Sequence, residues 1–121
     1  SVCMNVLQIL PALDAGGVER GTLEIAEALV HGGHGATVMS AGGRLEPDLR
    51  ALGATHLTWP IGRKSPRTLL LVPRLRKLLA SGAFDLIHVR SRLPAWITWL
   101  AWRGLPTGSR PRLVTTVHGL N

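Results

Sequence analysis

A chain of 121 residues makes one domain, long enough for a real core and at the small end for a doubly wound sheet. An apolar content of 45% excludes a disordered chain, and the longest apolar stretches, around 69–72 and 94–102, are too short or too interrupted to span a bilayer. The formal net charge of +7 is one-sided: residues 1–60 set three arginines against six carboxylates, whereas residues 61–121 set eleven Lys or Arg against Asp85 alone, which asks for an anionic partner on one face.

In chain order, residues 4–10 read as a continuous apolar strand that passes through Pro11 to Asp14 into Gly16-Gly17-Val18-Glu19-Arg20. A helix is predicted over 18–31, with Leu23, Ile25, Ala26, Leu29 and Val30 at helical spacing and Gly32-Gly33 ending it. Residues 36–41 form a second strand closed by Gly42-Gly43, and 46–52 a short helix with Pro47 in its first turn. A third strand over 55–59 ends at Pro60 and is followed by a basic loop over 61–66. The next helix, 67–80, contains Pro73, which either kinks it or lies near its start. Residues 84–89 are a fourth strand, 94–103 a Trp-rich helix ended by Gly104, and 112–117 a fifth strand. No repeats or low-complexity tracts occur, and Cys3 has no Cys or His at ligand spacing, which argues against a disulfide framework or a zinc site. The N-terminus carries no positive region followed by an apolar run, so a cytoplasmic location is the expectation.

Alternation of strand and helix predicts an α/β fold: a Rossmann-like parallel sheet of about five or more strands with right-handed crossovers and helices on both faces. Ligands in such sheets bind beyond the carboxyl ends of the strands. That edge collects the Gly16-Gly17 turn, the Gly42-Gly43 turn, Arg90-Ser91-Arg92 and His118-Gly119. Paired glycines at a strand-to-helix junction allow a tight turn and leave the first helical N–H groups open to an anion, although any parallel α/β protein needs a turn there. A dinucleotide fingerprint framed from Gly16 puts Val18 at its second glycine, and the second strand ends without an acid for a ribose hydroxyl. A phosphate loop of the Gly-Lys-Ser/Thr kind is also missing after the first strand.

Leu13, Ala15-Gly16-Gly17-Val18-Glu19-Arg20, Gly33-His34, Ser40-Ala41-Gly42-Gly43, the run from Asp85 to Arg92, Pro94-Ala95-Trp96 and Thr115-Thr116-Val117-His118-Gly119 together resemble the N-terminal domain of a family 4 glycosyltransferase. The resemblance covers nearly the whole chain and is strongest to bacterial members that build lipopolysaccharide or other surface glycans. It implies one half of a GT-B enzyme, residues 1–121 forming the acceptor-side domain and the nucleotide-sugar-binding domain lying outside this chain, so that the fragment alone is inactive. It further implies retaining transfer from a nucleotide-sugar donor to an anionic glycolipid or saccharide acceptor, with no cofactor and no essential metal. Position by position, Gly16 and Gly17 would face the donor diphosphate, and His118, with Gly119, would reach the donor sugar as the catalytic residue.

The remaining candidates carry two readings each. Arg90, Ser91 and Arg92 suit bidentate capture of phosphate or carboxylate, or form a solvated loop after a strand. Glu19 favours the helix dipole and needs no further role. His31, His34, His56 and His88 lack sequence partners at metal-ligand or catalytic spacing and read as structural, His88 being nearest the functional edge. Arg63, Lys64, Arg67, Arg74, Arg76 and Lys77 among seven Leu or Val residues fit either contact with an anionic membrane surface or a core-packed helix with a solvated basic face. Trp96, Trp99 and Trp102 form a stripe that is either core or interfacial. Two rival functions remain. A pI near 11.5 invites a nucleic-acid-binding module, but the cations are not interleaved with aromatics in any such signature. A nucleotide-sugar epimerase half would need acid/base groups beyond His118.

Overall fold

The computed structural model describes residues 3–116. Five strands, β1 (Asn5–Ile9), β2 (Gly35–Ser40), β3 (Thr55–Thr58), β4 (Leu86–Arg90) and β5 (Arg112–Thr116), form one parallel sheet in the order β3-β2-β1-β4-β5. Val6 pairs with Ala36 on one side and Leu86 on the other, so β1 is the centre of the sheet. A strand buried on both faces has no polar side to show, which is why residues 6–10 read as a nearly unbroken apolar run.

Four α-helices connect the strands: α1 (Gly17–His31), α2 (Glu46–Ala51), α3 (Leu71–Ala80) and α4 (Arg92–Arg103). The sheet divides the buried apolar residues into two cores, one on each face, because side chains alternate along a strand. Leu7, Ile9, Met39, Ile87 and Val89 meet Leu71, Leu75, Leu79, Ile97 and Ala101 on the α3–α4 face. Leu10, Ala36 and Val38 meet Ala26, Leu45 and Leu49 on the α1–α2 face. The expected architecture, helices on both faces of a parallel sheet, is the one observed.

Local differences have identifiable causes. The helix predicted over 67–80 is split into a 3-10 turn, Pro66–Leu70, and α3, which places Pro73 in the first turn of α3, where its missing N–H is harmless. Ser65 opens the 3-10 turn, its Oγ accepting from Arg67 N at 3.2 Å. The strand expected from Phe84 begins two residues later, because the Asp85 carboxylate instead accepts from Asn5 N at 2.8 Å. Ile25, counted on the apolar face of the first helix, is exposed; Thr22 and Ala26 are the residues of α1 that are fully buried.

Arg76 differs from the other residues of the membrane-facing set. Its Nε and Nη2 donate to the carbonyls of Ala101 (3.1 Å) and Leu100 (2.9 Å), both in the last turn of α4, so it fastens α3 to the end of α4. The Trp stripe is not core either. Trp96 and Trp99 are exposed and meet edge to face at 5.9 Å, and only Trp102 turns in, donating from Nε1 to Pro111 O at 2.8 Å.

Candidate functional site

At the carboxyl end of β1 the chain passes through residues 10–13 and enters α1 at Gly16, which has ordinary extended backbone and no capping side chain. Arg20 N makes the first helical bond, to Gly16 O at 2.9 Å, so the N–H groups of residues 17–19 precede the helical ladder and lie toward the edge of the sheet. The two glycines differ. A Cβ at Gly16 would come within 2.8 Å of Glu19 Oε1, whose carboxylate bends back over the helix start. A Cβ at Gly17 would meet nothing within 4 Å, so the protein itself does not require a glycine there.

The second glycine pair is structural. Gly42 and Gly43 have φ of +96° and +156°, and a Cβ on Gly43 would sit 2.5 Å from the Leu13 carbonyl carbon. Leu13 N donates to Gly42 O (3.0 Å) and Leu45 N to Leu13 O (2.8 Å), so this turn braces the loop that leads into α1.

Across the sheet, β4 ends at Arg90, and Ser91 takes φ of +89°, an uncommon conformation for a residue with a Cβ. The sharp turn separates the two arginines. Arg92 is exposed in the first turn of α4, whereas Arg90 is only 6% exposed. Arg90 Nη1 donates to Gln8 Oε1 at 2.7 Å, and the fully buried Gln8 donates from Nε2 to Thr22 O of α1 at 3.1 Å. Residues 10–12, Val18, Glu19, Arg90 and Ser91 line a cleft of about 250 Å³ between the ends of β1 and β4. The structure thus brings Val18 and Glu19, in the first turn of α1, together with Arg90-Ser91, and leaves Gly16 and Gly17 off that lining and Arg92 outside it, beside Trp96, Trp99 and Thr115.

His88 lies two residues before Arg90 on β4, its Nε2 2.9 Å from Thr116 Oγ1 of β5, and burial, then the Arg90 charge, lower its pKa from 6.5. His118 and Gly119 lie outside the described residues. Among the basic candidates, Arg63, Lys64, Arg67 and Lys77 are exposed, and Arg74 lies 4.5 Å over the Trp59 ring. Leu69 and Leu70, 56% and 71% exposed, stand beside Arg67. Among the described residues no three His, Cys, Asp or Glu side chains gather to hold a metal.

Sequence reasoning missed Gln8 and the chain Ser40–His56–Glu46. The signal for Gln8 was present: one amide within Val6-Leu7-Gln8-Ile9-Leu10, a run that a central strand buries on both sides. For His56 it was not, since its partners are 16 and 10 positions away in sequence and meet only through strand pairing and the packing of α2.

Comparison with known proteins agrees with this geometry. Residues 15–121 match the family described as Glycosyltransferase Family 4. A solved glycosyltransferase from Rickettsia africae ESF-5 superposes with a TM-score of 0.80 at 33% identity, over 98% of this chain and 31% of that one. The chain therefore spans about a third of the length of that enzyme, and its fold is a fragment of the GT-B arrangement. No curated protein sequence gives a significant match. The matched span contains the α1 start, Arg90 and all four helices, and the chain belongs to Glycosyltransferase Family 4.

Proposed function

We propose that these residues are the N-terminal, acceptor-side half of a retaining glycosyltransferase that moves a sugar from a nucleotide sugar to a lipid-linked or lipopolysaccharide-type acceptor. The observation that carries this reading is the cleft itself: the first turn of α1, at Val18 and Glu19 just after Gly16-Gly17, shares a cleft with Arg90 at the carboxyl edge of a parallel sheet in a family 4 domain. Gly16 and Gly17 receive the donor diphosphate, Arg90 with Ser91 and Arg92 the anionic acceptor or a phosphate, and His118 with Gly119 the donor sugar. A second domain supplies the other wall of the cleft and most of the donor selectivity, so residues 1–121 alone transfer nothing.

Chemically the cleft offers electrostatic stabilisation rather than an acid/base pair, which suits departure of a diphosphate. No metal is assigned to the reaction, and transfer that persists in a chelator supports that assignment. The enzyme works at the inner face of a bacterial membrane, with exposed Arg63, Lys64, Arg67, Leu69 and Leu70 toward anionic lipid. The test is transfer by the full-length protein from a panel of nucleotide sugars to a lipid-linked acceptor. Neither transfer nor donor hydrolysis with any pair would sink the reading.

A further inference from the structure

The groove between α4 and β5 is built like a core without its cover. Arg92, Ala95, Trp96 and Trp99 of α4 and Thr115 of β5 line about 320 Å³. Thr115 pairs with Val89, a residue of the α3–α4 core, so the groove lies on that face of the sheet. Trp96 and Trp99 stand one turn apart on a single flank of α4 and are 58% and 38% exposed, while Ile97 and Ala101 of the same helix are buried against the sheet. Two adjoining exposed tryptophans on one helix flank mark a contact.

The strand beside them is open in the same direction. Among the described residues β5 pairs with β4 alone, which leaves one ladder edge free. None of its residues is buried, whereas Ile87, Val89 and Arg90, the partners of Leu113, Thr115 and Thr116, all are. Arg112 N donates to Asp85 O and Thr116 O accepts from Ser91 N, so residues 112, 114 and 116 turn toward β4. The N–H groups of Leu113 and Thr115 therefore turn outward.

Handedness selects what lies on the groove. The crossover through α4 steps from β4 one strand outward to β5 with its helix on this face. A further crossover, from β5 to a strand on its open edge, repeats that step, and a right-handed connection puts its helix on the same face, beside α4. A helix there rests on Trp96 and Trp99. Charge narrows the choice of occupant. Arg92 and Arg103 are exposed on the same flank, Arg103 lying 4.8 Å over the Trp99 ring, and no carboxylate lines the groove. A second copy placed by a two-fold axis would set these cations against their own duplicates. A helix with carboxylates beside an apolar stripe meets both the rings and the charges.

We propose that the segment following residue 121 in the whole protein forms a helix that packs on Trp96 and Trp99 and leads to a sixth strand on β5, so that the acceptor-side domain is larger than these 121 residues. The chain spans 31% of the solved Rickettsia africae enzyme, short of one of two equal halves, which agrees with a domain that continues. The inference concerns how the domain is closed and stands whatever sugar is moved.

The test uses the full-length protein, free of vesicles, at two concentrations. Hydroxyl-radical footprinting, read by mass spectrometry and normalised to the same protein in urea, is expected to protect Trp96 and Trp99 as strongly as buried Ile97 and well above exposed Leu70. Amide exchange at Leu113 and Thr115 is expected to be as slow as at Val114, which turns toward β4. Trp96→Ser is expected to lower Tm by at least about 4 °C and Trp96→Leu by less, because leucine keeps an apolar contact. If Trp96→Ser is insoluble, a soluble Trp96→Leu with Tm near wild type gives the same support. Trp96 as reactive as Leu70, exchange at Leu113 and Thr115 far faster than at Val114, or an unchanged Tm in Trp96→Ser overturns the proposal. So does protection that appears only at the higher concentration with a doubled mass in light scattering, which assigns the groove to a second copy. Protection that appears only on adding anionic vesicles or a saccharide acceptor assigns it to that ligand and overturns the proposal as well.

Discussion

Ser40 Oγ lies 2.7 Å from His56 Nε2, joining the ends of two neighbouring parallel strands beneath α2. His56 Nδ1 is 3.3 Å from both Glu46 Oε1 and Thr58 Oγ1. An accessible Ser–His–Glu chain would suggest an activated nucleophile. Burial decides otherwise: Ser40 is 0% and His56 5% exposed, so no substrate reaches the hydroxyl. Its oxygen is already engaged, accepting from Gly42 N at 3.0 Å. The chain holds the Gly42-Gly43 turn in place, and that turn braces the loop into α1. Removing the hydroxyl with Ser40→Ala leaves the Gly42 N–H and His56 short of a partner, at an expected cost of about 1–3 kcal/mol in urea unfolding.

The same histidine makes stability depend on pH. Burial lowers the pKa of His56 from 6.5, and burial followed by the Arg90 charge lowers that of His88. Both groups bind protons less readily folded than unfolded. Stability is therefore full above the unfolded value, falls as pH drops through 6.5 toward the depressed folded values, and levels off below them. Urea midpoints taken from pH 7.5 down to pH 5 should show this decline, and His56→Gln should flatten part of it. An unchanged slope in the variant would remove His56 from the account.

Gly43 and Gly17 should respond oppositely to alanine. At Gly43 the added Cβ would lie 2.5 Å from Leu13 backbone in a left-handed conformation, so Gly43→Ala is expected to cost more than about 1 kcal/mol and to lower Tm. At Gly17 the Cβ meets open space in the first turn of a helix, so Gly17→Ala should leave Tm unchanged or raise stability by about 0.4–1 kcal/mol. If the open space is where a diphosphate approaches, Gly17→Ala loses transfer in the full-length enzyme while gaining stability. Equal transfer by the two proteins would remove Gly17 from the donor site.

Most of the architecture was legible because its signals are local. The apolar run of β1, the terminating Gly32, Gly53 and Gly104, and the strand–helix alternation each act over a few residues. The cleft was half legible for the same reason. Topology places Gly16-Gly17 and Arg90 on one edge, but whether Arg90 or Arg92 enters the cleft depends on the positive φ of Ser91, and no residue type announces that. The bonds of Arg76 were not legible for a similar reason. Its position among Leu and Lys residues suggests a solvated face, and only the packing of α3 on α4 reveals the carbonyls that it serves.

Thr98 offers a stabilising change. Its Oγ1 is buried in α4 without a hydrogen-bond partner among the described residues, while its Cβ substituents pack in the core. Valine keeps the shape and removes the unpaired hydroxyl, so Thr98→Val is expected to raise stability by about 1 kcal/mol, seen as a higher Tm. A lower Tm would show that the hydroxyl has a partner after all.

The basic residues divide into two experiments. Arg76→Ala loses two charge-assisted bonds to the end of α4 and should destabilise by about 1–3 kcal/mol, with no direct effect on lipid binding. Arg63, Lys64 and Arg67 are exposed, so replacing all three with serine should leave Tm unchanged. Each cation near an anionic bilayer contributes about 1 kcal/mol, so the triple variant should bind anionic vesicles about a hundredfold more weakly, and wild-type binding should fade with added salt. Leu69→Ser with Leu70→Ser tests the apolar part separately, because insertion of exposed leucines is insensitive to salt. Wild-type indifference to anionic vesicles would leave these residues as a solvated face.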